Sequence, residues 1–191
     1  MKKDIIMFLV LCATSFGVAT GLSSCSSDSQ TEDNWNNISQ NFENMKGAYE
    51  GTAIMNDNSN HQTLNFTIDQ QANVTVKNFP IELVLQKVYP SDYQSIQGEM
   101  EGYSYTAAID SVGVPSVSAL NWKAKDLDVT FNYKKDGTSH AMTLTLATTG
   151  YYDVTRSLLS LRIDVIDLIV DKQDMTRFLP ITFMVDAAGK K

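Results

Sequence analysis

The chain has 191 residues, 43% of them hydrophobic, and a formal charge of −7. That length supports one domain with a real core. The acidic balance argues against nucleic acid or anionic lipid surfaces as partners.

Met1-Lys2-Lys3 is a short basic start, and an apolar run extends from Ile5 to Leu22. A spanning helix needs about 20 unbroken apolar residues. Here Thr14, Ser15, Gly17 and Thr20 dilute the run and small residues end it, as in a secretory signal. The segment closes Leu22-Ser23-Ser24-Cys25, which resembles the bacterial lipobox. The resemblance implies a signal peptide over 1–24, cleavage before Cys25, and acyl chains on that cysteine's thiol and amine. One chain gives marginal membrane residence, whereas several hold a protein stably. Removing the first 24 residues takes Lys2, Lys3 and Asp4 away, leaving 167 residues and a charge of −8. Cys12 departs with the signal and Cys25 carries lipid. The domain then has no thiol for a disulfide, a metal or nucleophilic catalysis. Ser26 stands where an inner-membrane lipoprotein has aspartate, and Asp28, Glu32 and Asp33 resemble a scattered form of the acidic export signal of Bacteroidetes lipoproteins. The expected location is the outer membrane, at the cell surface or on its periplasmic face.

Residues 25–45 read as a lipidated N-terminus and tether, with only Ser26 to Asp33 flexible. Trp35, Ile38, Phe42 and Met45 share one helical face, so a short helix is expected to dock on the adjoining domain. From 46 to 187 the pattern is that of a single β domain. Tyr49 to Met55 open the first strand, Asn56-Asp57-Asn58 makes a turn, and Leu64, Phe66 and Ile68 alternate with polar residues. Val74 and Val76 form the next strand. Pro80, then Ile81, Val84, Leu85 and Val88 at helical spacing, then Pro90, predict a two-turn helix. Tyr103 to Ile109 alternate again. Leu127 to Tyr133 and Met142 to Leu146 flank Asp136-Gly137, a hairpin signal because a type I′ turn needs positive φ twice. Leu159 to Val165 continue, with a bulge or bend where the apolar phase shifts to Ile166, Leu168 and Val170. Phe178 to Val185 end the series. The expected fold is mainly β, an antiparallel barrel or sandwich of seven to nine strands with one or two short helices.

Gly47-Ala48-Tyr49-Glu50-Gly51-Thr52, then Val76-Lys77-Asn78-Phe79-Pro80-Ile81, then Leu179-Pro180-Ile181-Thr182-Phe183 together resemble a Bacteroides lipoprotein family. The resemblance spans Lys46 to Asp186 and implies an envelope protein with a single β domain of unknown function. Its Gly-x-Tyr-x-Gly opening is also similar to calycin-like lipoprotein domains. Neither family supplies catalytic residues.

No hydrolase elbow, zinc-protease helix or phosphate-binding glycine loop occurs. His61 sits in a polar turn and His140 starts a hairpin strand beside Ser139, each a lone imidazole. Asp164, Asp167, Asp171 and Asp174 gather near one bend but lack the spacing of a calcium loop, and a solvated strand face explains them more simply. Glu99 and Glu101 lie two apart and could share one strand face, which does not set them opposite each other across a glycosidase cleft. No catalytic, metal or cofactor site is expected. Tyr103, Tyr105 and Tyr133 fit strand packing. Tyr89, Tyr93, Tyr151 and Tyr152 fall beside turns and are the candidate ligand-facing residues, since a tyrosine offers a flat apolar face with a polar tip. Asp110-Ser111-Val112 resembles the acceptor motif of Bacteroidetes O-glycosylation. The expected partners are the membrane, through the lipid, and a glycan, a small hydrophobic ligand or an envelope protein. A non-enzymatic binding or structural module is the leading expectation, with a carrier barrel and a glycan hydrolase behind it.

Overall fold

A computed structural model describes residues 28–55, 61–98 and 103–191. Cys25, the signal segment, the turn at 56–58, Glu99 and Glu101 lie outside them, as do the side chains of 28–35.

The described chain comprises α1 (Asp28–Met45), β1 (Gly47–Met55), β2 (His61–Ile68), β3 (Asn73–Lys77), α2 (Ile81–Val88), β4 (Ile96–Gln97), β5 (Tyr105–Ser116), β6 (Ala119–Ala124), β7 (Leu127–Lys135), β8 (Thr138–Asp153), β9 (Leu158–Val170), β10 (Gln173–Asp174) and β11 (Ile181–Lys190). Every pairing is antiparallel. The order β1-β2-β3-β5-β6-β8-β9-β11 returns to β1, so eight strands close a barrel in an up-and-down meander. Of the two expected architectures, the barrel is the one formed. β6 and β7 lie end to end along β8, against Thr149–Asp153 and Thr138–Leu146 respectively, and together act as one strand broken at Lys125-Asp126. The two-residue strands β4 and β10 extend the sheet on β7 and β9.

Period-2 alternation places Leu64, Phe66 and Ile68 inside, and likewise Met142, Leu144 and Leu146. Cross-strand threonine pairs, Thr75 with Thr106 and Thr130 with Thr143, line the outside at 2.8 Å. The Asp136-Gly137 hairpin forms as its residues require, with φ of 51° and 80°. The phase shift in β9 is a bulge. Thr145 faces Asp167 and Leu146 faces Val165, so Ile166 is the extra residue and is 47% exposed. Three strands were not read from the sequence, the two-residue β4 and β10 and the six-residue β6. Register irregularities between Ile109 and Ser111 and between Gly113 and Ser116 break the alternation of β5 before β6, and the inward face of β6 is only Leu120, Trp122 and the small Ala124. Beyond the expected domain edge at 187, β11 continues to Lys190. An irregularity between Val185 and Ala188 interrupts its pattern, and Ala187 takes a φ of 52°.

The helix α1 is longer than its apolar spacing predicts, because it begins at Asp28 inside the segment expected to be flexible. Phe42 and Met45 join the core. Its last carbonyls, which lack helical partners, accept hydrogen bonds from the barrel. Tyr49 Oη donates to Met45 O at 2.5 Å, and Asn44 O receives Lys190 Nζ at 3.0 Å and Tyr152 Oη at 3.4 Å. This end of α1 covers the mouth where β1 starts. The other mouth is covered by α2, five of whose eight residues are buried. Lys87 Nζ reaches Pro180 O at the start of β11 (3.1 Å), and Tyr89 meets Tyr133 near the end of β7.

Beneath α2, at its mouth of the barrel, lies Phe79. Asn78, at φ 57°, turns the chain inward, and the Phe79 N–H donates to Tyr103 O at 2.8 Å. The Phe79 ring stands edge-on to Tyr105 of β5 at 5.8 Å and to Phe183 of β11 at 5.3 Å. These two strands are four places apart in a ring of eight, so the ring of Phe79 bridges opposite walls. An eight-stranded barrel is only wide enough for side chains or one small ligand. Here side chains take the space.

Candidate functional site

The four candidate tyrosines do not meet at one place. Tyr151 and Tyr152 are adjacent on β8, so they face opposite sides of the sheet. Tyr152 is buried in the core, and Tyr151 is 43% exposed on the outer wall. Tyr89 is half-buried at the end of α2, its Oη 2.6 Å from Tyr133 Oη. Tyr93 is half-buried in a 3-10 turn, and burial raises its phenol above the usual value. Tyr133 stacks on His140, which precedes Tyr151 on β8 by eleven residues, roughly 35 Å of strand. Tyr89 and Tyr151 therefore serve different ends of the molecule.

Around Tyr151 the outer wall is concave. A depression of about 520 Å³ crosses β5, β6, β8, β9 and β11. That volume falls within the range of ligand sites. Strand register builds it as two parallel rows. One row runs Gly113, Asn121, Tyr151 and Ser160; the other runs Ser111, Lys123, Thr149, Arg162 and Met184. Backbone at Trp122, Gly150 and Leu161 forms the floor, since their side chains belong to the inward face. Gly150 is obligatory there. A Cβ on it would strike Cε2, Cζ2 and Nε1 of the Trp122 indole. The indole thus lies flat over the β8 backbone, and its buried N–H has no acceptor among the described residues.

The two cations of the depression are paired, and Asp186 on β11 adds one negative charge to its lining. Lys123 Nζ lies 3.3 Å from Asp126, and Arg162 holds both Asp164 oxygens at 2.8 and 2.9 Å. Burial works to raise the Asp164 carboxyl. Hydrogen bonds from Arg162 and Thr182 outweigh it and hold Asp164 below the usual carboxylate range. The cations at this site are already matched.

No family model, curated protein or solved structure matches this chain. Site chemistry must therefore be read from geometry alone.

The remaining candidates disperse. Asp171 accepts the Ala141 N–H (2.9 Å) and faces His140 Nδ1 (2.6 Å), and these bonds lower its pKa. Asp174 caps the Thr176 N–H at 2.7 Å and is lowered by it, and Asp167 accepts from Leu168 N at 2.8 Å. Each aspartate of the bend is thus committed to its own neighbour, and among the described residues no group of three or more acidic or histidine side chains is placed to hold a metal. His61 is exposed at the start of β2. Ser111 is half-buried at one edge of the depression. Sequence reading missed Asn121, Lys123, Thr149 and Arg162. The signal that separates Tyr151 from Tyr152 was available, because the even-numbered inward phase of Met142, Leu144 and Leu146 continues through Thr148 to Tyr152.

These depressed carboxylates fix the sign of the acid response. Asp164, Asp171 and Asp174 stabilise the fold fully above their unfolded value, near pH 4. That contribution is lost as pH falls through their lower folded values. Urea midpoints are expected to be steady near pH 5 and to fall between about pH 4 and 2. In Asp164→Asn the fall should be shallower. A wild-type midpoint unchanged down to about pH 2 would contradict the hydrogen-bond assignments.

Proposed function

We propose that this protein is a lipid-anchored lipoprotein of the bacterial outer membrane, of the Bacteroides type, and that its barrel is a non-enzymatic binding or structural module working through its outer wall. The observation that carries the reading is Phe79, which bridges opposite walls of the lumen while α1 and α2 cover the two mouths. A filled lumen leaves the exterior as the surface on which recognition is built. Anchoring through Cys25 fits the same picture. Asp128, Thr130, Asn132 and Lys134 all point outward and exposed from β7, where a lipid-facing barrel needs an apolar band. Membrane attachment then falls to the N-terminus, three residues before α1. Against an enzyme stand the dispersed carboxylates and a His140–Asp171 pair far along β8 from the depression.

A closed eight-stranded barrel is also the architecture of small-molecule carriers, so the experiment must separate the two. In cells fed a palmitate analogue, the full-length protein is expected to take the label and Cys25→Ser to lose it and leave the membrane fraction. Organic extraction of the purified protein should release no hydrophobic molecule in stoichiometric amount. One such molecule per protein would overturn the outer-wall reading in favour of a carrier, and an unlabelled wild type would overturn the anchor.

A further inference from the structure

The outer-wall depression has a chemistry that selects among ligands. Its one aromatic side chain exposed to solvent, Tyr151, is set between Asn121 and Ser160 in the same row of the sheet. The side chains of Ser111, Asn121, Thr149 and Tyr151 make no hydrogen bond with the described residues, so amide and hydroxyl groups are left ready on a wall about 19 Å across, the width of four strand spacings. The two cations of the depression are engaged by Asp126 and Asp164. A strongly anionic ligand would have to displace those carboxylates. A lipid-like ligand would bury the free polar groups without partners, which is costly. What remains is a ligand with apolar ring faces and many neutral hydroxyls.

We propose that this depression binds a neutral oligosaccharide, one sugar ring lying on Tyr151 and its hydroxyls bonding Asn121, Thr149 and Ser111. The proposal rests on the outer-wall reading and deepens it. Stacking on an amphipathic ring supplies the apolar contact, and the flanking amide and hydroxyls supply direction. Because no ion pair forms with the ligand, affinity should change little with salt.

The test uses the full-length lipidated protein in a detergent without a sugar headgroup. Maltoheptaose, cellohexaose, xylohexaose and mannohexaose are the neutral probes and heparin is the anionic one, with binding read by calorimetry. At least one neutral probe is expected to bind, with affinity unchanged between about 0.1 and 0.5 M salt. Tyr151→Ala should weaken it about tenfold or more, and Asn121→Ala to a smaller degree. Urea midpoints of both exposed-site variants should match wild type, so that loss of binding is not loss of fold. Heparin binding that Tyr151→Ala weakens, with no neutral probe bound, would overturn the neutral-sugar assignment and leave the outer-wall reading standing. Silence from every probe, or neutral binding indifferent to Tyr151→Ala, would overturn the assignment as well. An intact mass showing a hexose attached at Ser111 would also overturn it, since that sugar would already occupy the depression.

Discussion

Replacing Phe79 with alanine is expected to lower the stability of the folded chain by about 3 to 5 kcal/mol. The ring is 1% exposed and touches aromatic rings on opposite walls, β5 and β11. Truncation removes its transfer free energy and also leaves a void, which the closed strand ring cannot collapse around freely. Urea unfolding should show a lower midpoint with an unchanged slope, the mark of altered stability rather than an altered end state. The vacated space would be lined by apolar groups and should stay dry. Benzene is therefore expected to raise the melting temperature of Phe79→Ala and leave wild type unmoved. A loss below about 1 kcal/mol would show that Phe79 does not bridge the lumen, and the support for an outer-wall function would go with it.

The second large effect is expected at Gly150. Even alanine there drives a carbon into Cε2 of Trp122, far inside contact distance. Indole and strand must separate, and overpacking of this kind costs about 1 to 3 kcal/mol, with Gly150→Val above Gly150→Ala. The cause can be isolated by a double-mutant cycle. In the Trp122→Leu background the glycine substitution should cost at least about 1 kcal/mol less, because the ring it strikes is gone. Additive losses would mean that Gly150 is needed for a reason other than the indole.

Much of the fold could be read from residues. Asp136-Gly137 specified a hairpin because few other pairs accept positive φ twice. The phase slip from Val165 to Leu168 specified a bulge, and Ile166 is the residue it expels. Prolines 80 and 90 bracketed α2, and each of its predicted apolar positions is buried. Two of the misses come from a local irregularity that hides the period. β6 comes after the irregular register of β5, and β11 outruns its apparent end through another at Val185–Ala188. The start of α1 was missed because its polar first turns carry no apolar stripe to count.

The site was less legible. A tyrosine beside a turn could be flagged, but its companions could not. Lys123, Thr149 and Arg162 come from three strands and become one row only when β6, β8 and β9 take their register. The fold also sets Asp126 beside Lys123 and Asp164 beside Arg162, so the cations of the wall are engaged.

By itself, then, the sequence determined what depends on neighbours along the chain: strand alternation, the type I′ turn, the proline-bounded helix and the lipobox-like run ending at Cys25. Only the tertiary structure decided that the strands close into a barrel rather than a sandwich. That choice rests on β11 meeting β1, a pairing between the two ends of the domain that no local pattern encodes. It likewise decided that Phe79 bridges β5 and β11 across the barrel. An inward ring is favoured by burial wherever it lands, but which walls it touches is set by strands far away in sequence.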